Sequence, residues 1–220
     1  MEEQEILGIF KETKAVITNS HLVYKSGKHG SAYVNKDAVY PYPLKISKIC
    51  SEIVEILDDR ADVDIIAAPT IGGVILGHNT AYQLNMRKID FFRPNQIKEI
   101  LSVYAEEENG ERVFKRGYDK LIQDKNVVIV DDVVTTGGTV KKMISAVQKL
   151  GGKVIAVIVL CNRGGLTEKD LGVPFFALTN ISLEAWPEEE CPLCKEGAPI
   201  NTEVGKGREY LIRKVGEAKK

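Results

Sequence analysis

The chain has 220 residues, of which 44% are hydrophobic and 28% charged, with 30 Lys plus Arg against 31 Asp plus Glu. Near-zero net charge lacks the basic footprint of a nucleic-acid binder, and no apolar run reaches the roughly 20 residues of a membrane-spanning helix. Four cysteines are too few for a disulfide scaffold, and the acidic start MEEQEILGIF is unlike a signal peptide, so a soluble, cytoplasmic, metabolic protein is expected.

Residues 1–14 suggest a short helix with Ile6, Leu7, Ile9 and Phe10 on one side. His21 to Asn35 reads as a small strand pair around the turn SGKHGS. Pro41 and Pro43 then punctuate, and Leu44 to Leu57 carries helical spacing through Leu44, Ile46, Ile49, Ile53, Val54 and Leu57. DIIAAP, from Asp64, is a short buried strand, followed by the turn TIGG and a helix over Val74 to Leu84. Arg87 to Phe92 is a candidate second strand. Arg93 to Arg116 is charged, weakly periodic and holds EEENGE, so a functional or mobile irregular stretch is expected there. Asn126 to Val130 is a strand, Thr139 to Leu150 a helix, and VIAVIVLC the next strand. Such alternation of continuous apolar strands with helices predicts an α/β fold, a twisted, mostly parallel sheet with helices on both faces.

The most informative stretch is Val127 to Val140, VVIVDDVVTTGGTV. In open α/β sheets, ligands sit beyond the carboxyl ends of the strands, which is where Asp131 and Asp132 fall. Thr135, Thr136, Gly137, Gly138 and Thr139 then lead into a helix N-terminus, whose unpaired amides and dipole favour phosphate. Carboxylates accept hydrogen bonds from sugar hydroxyls, so acids followed by an amide nest suit a ribose 5-phosphate. Neither GxxxxGK[ST] nor a strand-borne GxGxxG occurs.

The same stretch closely resembles the phosphoribosyl-diphosphate (PRPP) signature of type I phosphoribosyltransferases. The resemblance implies a small N-terminal hood over the carboxyl edge, with Thr135 to Thr139 around the 5-phosphate and Asp131 and Asp132 on the ribose. Pro69, Thr70, Ile71, Gly72 and Gly73, after the DIIAAP strand, are similar to the family's pyrophosphate loop. LVYKSGKHGSAYVNKD resembles the hood of orotate phosphoribosyltransferases, which implies that Lys25 faces the anionic ligands, Tyr33 stacks on the pyrimidine and Asn35 supports the loop. VIVLCNRGG places Arg163 where those enzymes carry a basic partner for the base carboxylate. The tail LEAWPEEECPLCKEGAPINTEVGKG also resembles their C-terminal extensions. Residues 1–60 are then hood plus a helix packing on the core, 61–180 the core, and 181–220 the extension.

The resemblance implies transfer of ribose 5-phosphate from PRPP to orotate, with Mg²⁺ carried by PRPP and no direct protein ligation, in a homodimer without nucleic-acid or membrane partners. Alternatives are a purine-type phosphoribosyltransferase and a non-catalytic PRPP-sensing regulator. The latter is motivated by Glu107, which stands in YAEEE where relatives often carry Lys. Lys115 is the expected catalytic cation, with Arg116, Arg87, Lys88, Arg93 and Lys98 as substitutes. Cys191 and Cys194, in CPLC, supply half of a structural zinc site, and a dimer pooling two pairs would complete it. Cys50 and Cys161 read as buried thiols, Trp186 as a packing anchor for the tail, and His21, His29 and His78 as ordinary structural histidines.

Overall fold

The structure, a computed structural model, describes residues 3–58, 62–88 and 98–217. In chain order its elements are α1 (Glu3–Glu12), β1 (Val16–Ile17), β2 (Leu22–Val23), β3 (His29–Gly30), β4 (Tyr33–Val34), α2 (Pro43–Asp58), β5 (Ile65–Pro69) and α3 (Gly72–Lys88). After these come β6 (Leu101–Glu108), β7 (Glu111–Val113), α4 (Asp119–Ile122), β8 (Asn126–Val134), α5 (Gly138–Lys149) and β9 (Lys153–Asn162). The last are α6 (Glu168–Leu171), β10 (Phe175–Asn180), α7 (Pro192–Lys195) and α8 (Gly207–Glu217). The chain divides into two compact units, residues 1–7 with 39–181 and residues 8–38 with 182–220.

The first unit is built on a six-stranded sheet in the order β10-β9-β8-β5-β6-β7, in which only β7 runs antiparallel. β5 is buried throughout because alternate residues serve opposite faces. Ile65 and Ala67 join Val140, Met143 and Val147 of α5 in one core, while Ile66 and Ala68 lie under Gly77 of α3. α2 buries Ile46, Ile49, Ile53, Val54 and Leu57 at helical spacing, whereas Leu44, which shares that pattern in sequence, is 87% exposed.

Three expectations need correction. Arg87 and Lys88 are not strand residues but the last turn of α3, because QLNMRK is made of good or tolerable helix formers. The rest of that expected strand, with Arg93, lies outside the described residues. The stretch before Arg116 is not irregular: β6 pairs with β5 from Leu101 to Ala105 and then continues as a hairpin with β7. The turn is Asn109-Gly110, at φ 50° and 79°, the positive pair of a type I′ hairpin. β8, finally, runs on to Val134 beside β9, although its register with β5 ends at Ile129.

The second unit is a small β assembly. β1 pairs with β4 and β2 with β3, each antiparallel. The tail pairs with both strands of the β2–β3 hairpin region: Trp186 and His29 exchange two backbone bonds of 2.8 Å, and the Asn201 amide donates to the His21 carbonyl at 2.7 Å. Trp186 therefore anchors the tail through its backbone. His21 and His29 are buried, and their ring nitrogens lie within 4.8 Å of the Cys191 and Cys194 sulfurs. They are more than isolated structural histidines; His78 is exposed on α3. Burial, then the adjacent Cys191 thiol, push the Cys194 thiol up to about 11, and burial, then nearby His21, lower His29.

Burial separates two apolar residues that look alike in sequence. Ile129→Ala, at a fully buried position, is expected to cost about 2–5 kcal/mol, whereas exposed Leu44→Ala should stay within about 0.5 kcal/mol. Urea unfolding monitored by circular dichroism checks both, and equal losses would contradict this core.

Candidate active site

The carboxyl edge of the sheet is organised around the end of β8. Asp131 and Asp132 are each only 5% exposed. The Asp132 amide donates to Asp131 Oδ1 at 2.8 Å, and the Val133 amide to Asp132 Oδ1 at 2.6 Å. The second Asp132 oxygen, Oδ2, lies 3.1 Å from the Tyr40 hydroxyl, which is also 2.9 Å from the Gly72 carbonyl. One phenolic hydrogen thus serves a carboxylate on β8 and the backbone of the loop after β5. Gly72 is required by this approach, since a Cβ there would fall 1.7 Å from Asp132 Oδ2.

Beyond the acids, Thr135, Thr136 and Gly138 are exposed and Gly137 is buried. Gly137 caps α5 in the left-handed region at φ 75°, which turns the chain so that the helix starts at the sheet edge. The Lys141 amide makes the first helical bond, to Gly137 at 2.8 Å. Amides earlier in the turn have no intrahelical acceptor, an arrangement that suits an anion. Arg163 begins the loop after β9, and its amide donates to the Val134 carbonyl at 2.8 Å. That loop is braced by Asn162, whose side chain donates to the Leu166 carbonyl at 2.9 Å and accepts from its amide at 3.1 Å.

Pro69 to Gly73 form the second loop at this edge, with a cis Thr70–Ile71 peptide and an 81% exposed Ile71. The Thr70 amide donates to the Ala105 carbonyl at 3.0 Å, and its hydroxyl lies 3.4 Å from Arg112 Nη1. The Arg112 side chain, only 9% exposed, also meets Glu107 at 3.4 Å, its cross-strand partner in the β6–β7 register. Glu107 therefore faces a cation from its own hairpin. Lys115 instead pairs with Glu108 at 2.9 Å and Glu106 at 3.9 Å, and Arg116 with Glu106 at 3.0 Å.

Two further cations suggested by sequence sit at the opposite edge. A helix that comes after a parallel strand returns to the strand's amino end, and Arg87 there pairs with Glu55 while Lys98 pairs with Asp64, just before β5. Lys25 lies at the exposed tip between β2 and β3, and Tyr33 is half-buried in β4; both belong to the second unit. Tyr40 and Arg112 are not apparent as site residues from sequence. The Asn-Gly dipeptide is a usable signal for Arg112, because it sets the hairpin register opposite Glu107. Tyr40 carries no local signal.

The carboxyl edge of this sheet brings a buried acid pair near the Thr/Gly turn before α5 and the loop after β5, and the phosphoribosyl transferase domain family matches residues 37–193, which makes the chain a member of the phosphoribosyltransferases. The chain belongs to the orotate phosphoribosyltransferase family: it is 34% identical over 200 residues to the orotate phosphoribosyltransferase of Caldicellulosiruptor bescii, covering 91% of this chain and 96% of that one. The orotate phosphoribosyltransferase structure from Aeropyrum pernix superposes with a TM-score of 0.63 at 21% identity, over 80% of this chain and 93% of the other. An adenine phosphoribosyltransferase from Thermoanaerobacter pseudethanolicus superposes with a TM-score of 0.56 at 22% identity, over 78% and 99% of the two chains. The fold by itself is therefore indifferent to the base.

The Tyr40 contact can be tested with pyrophosphate as a probe of the loop after β5. Gly72→Ala should weaken its calorimetric affinity by about 100-fold, as expected when a site is displaced by an ångström or so. Tyr40→Phe should weaken it by about tenfold, the worth of one charge-assisted hydrogen bond. Unchanged affinity in both variants would remove this contact from the site.

Proposed function

We propose that the protein transfers ribose 5-phosphate from PRPP to orotate, giving orotidine 5′-monophosphate and pyrophosphate, as in de novo pyrimidine synthesis. The observation that carries this reading is the position of Arg163, tied by its backbone to Val134 at the end of the strand that carries the acid pair. A guanidinium fork at that point suits a base bearing a carboxylate, which adenine lacks.

In this reading the amides and hydroxyls of Thr135, Thr136, Gly137, Gly138 and Thr139 take the 5-phosphate. Asp131 and Asp132 accept the ribose hydroxyls, and Pro69, Thr70, Ile71, Gly72 and Gly73 border the diphosphate. By resemblance, Lys25 and Tyr33 serve the anionic base. The C1–O bond to diphosphate lengthens, the ribose acquires positive character, and the ring nitrogen of orotate forms the new C1–N bond from the opposite face. Most of the protein's contribution is alignment of two anions that otherwise repel.

Arg112, against Thr70, is the cation best placed to meet charge developing on the leaving diphosphate. Lys115, held by Glu106 and Glu108, takes a lesser part. Oxygen donors dominate this edge, in Asp131, Asp132 and the Thr70 hydroxyl, and suit a hard cation. Mg²⁺ arriving with PRPP, when bound, supplies neutralisation of diphosphate charge. A homodimer and cytoplasmic residence belong to the same proposal, the latter in keeping with four cysteines that form no disulfide.

Pyrophosphate release measured with Mg²⁺, PRPP and one base at a time is the direct test. Release with orotate alone is expected; release with a purine base alone, or PRPP binding without any release, would overturn the reading. Asp131→Asn with Asp132→Asn should abolish turnover with little change in melting. Arg112→Ala should lower kcat/KM by about 100-fold or more, against less than about tenfold for Lys115→Ala. The reverse order would hand the leaving-group role back to Lys115.

A further inference from the structure

The second unit gathers four side chains capable of holding a metal. His21 stands just before β2 and His29 opens β3, while Cys191 immediately precedes the short helix α7 and Cys194 lies within it. Their ligand-type atoms all lie within 4.8 Å of one another, and three of the four residues are buried. His21 Nε2 is 3.6 Å from Cys191 Sγ, 3.5 Å from Cys194 Sγ and 3.0 Å from His29 Nδ1, and Cys194 Sγ is 3.2 Å from His29 Nδ1.

Hydrogen bonding alone does not account for this convergence. His21 Nδ1 lies 2.8 Å from the Ala198 carbonyl, an acceptor, so Nδ1 carries the proton and Nε2 keeps a single lone pair. One lone pair cannot serve three neighbours at once. A cation at the centre resolves the conflict, because each of the four atoms then directs its own lone pair to the same point.

The spacing identifies the cation. Zinc bonds of about 2.3 Å to sulfur and 2.0–2.1 Å to nitrogen give a tetrahedron with edges of about 3.5 Å between sulfur and nitrogen and about 3.3 Å between nitrogens. The four separations quoted lie within a few tenths of an ångström of those edges, and all the ligand atoms are within 4.8 Å of one another. Two thiolates with two imidazoles is also a donor set that selects zinc by softness and geometry. The Ala198 carbonyl supplies the outer contact that fixes a ligating imidazole.

We infer that His21, His29, Cys191 and Cys194 of a single chain form a structural zinc site that clips the C-terminal tail to the β2–β3 hairpin. Four protein ligands leave no open position, so the site serves cohesion rather than chemistry. It also removes the need for a dimer to pool two CPLC pairs. The stretch between His21 and His29 is longer than the three-to-five-residue spacing of zinc fingers, which is why the pair is inconspicuous in sequence.

The test uses the full chain purified without chelator. Elemental analysis should find one zinc per chain, lost on treatment with a strong chelator and regained on adding zinc alone. Cobalt in place of zinc should show the charge-transfer and visible bands of a tetrahedral dithiolate site, and hydrogen exchange at residues 21–30 and 186–201 should speed up on stripping. Cys194→Ser with His29→Ala should lose the metal. Cys50→Ser should keep it, because the Cys50 thiol, pushed up to about 12 by burial, belongs to α2 in the first unit. Should the double variant fail to fold, the cobalt spectrum of the unaltered chain decides. Absence of zinc after reconstitution, a cobalt spectrum without thiolate bands, or a Cys191–Cys194 disulfide would each overturn the inference.

Discussion

A carboxylate shut away from water must be given hydrogen-bond partners. Asp132 obtains its partners from the Val133 amide and from Tyr40, whose hydroxyl also reaches the Gly72 carbonyl. This shared contact sets the separation between the two loops at the sheet edge. A site for a sugar bearing anions at both ends needs that separation held constant, and side-chain packing alone would hold it less well than a buried polar contact.

Charge at the same edge is balanced locally. The hairpin that leaves the sheet after β6 is rich in glutamate, yet Glu106, Glu107 and Glu108 each face Lys115, Arg112 or Arg116. The acidic face that would repel a diphosphate is thereby occupied by its own cations. Arg112 contributes twice, as the partner of Glu107 and as a neighbour of Thr70.

Much of the fold is legible in sequence because the central strands are apolar throughout: IIAAP, VVIV and VIAVIVLC cannot be solvated and have only a two-sided sheet to enter. The acid pair and the Thr/Gly turn are legible for a related reason, since their chemistry lies within a few consecutive residues. What escapes depends on distance or on exposure. β6 and β7 are hidden by charged side chains on a hairpin that leaves the sheet, where burial no longer imposes a visible alternation. Tyr40 acts on a residue 92 positions away, and His29 meets a cysteine 165 positions away. Local periodicity carries no record of such pairings.

The second unit is assembled from residues 8–38 and 182–220, with the whole parallel sheet encoded between them. On the ribosome, the hairpin of β2 and β3 emerges before the parallel sheet, yet two such short strands are not stable by themselves. Their partners at Trp186 and Asn201 are translated only after the whole sheet. The sheet can therefore mature first as a folding unit, while the segment of residues 8–38 waits unfinished until residues 182–220 have followed it out. Premature termination anywhere after β10 would leave a competent core carrying an orphaned hairpin, a product that proteolysis would be expected to trim from its amino end.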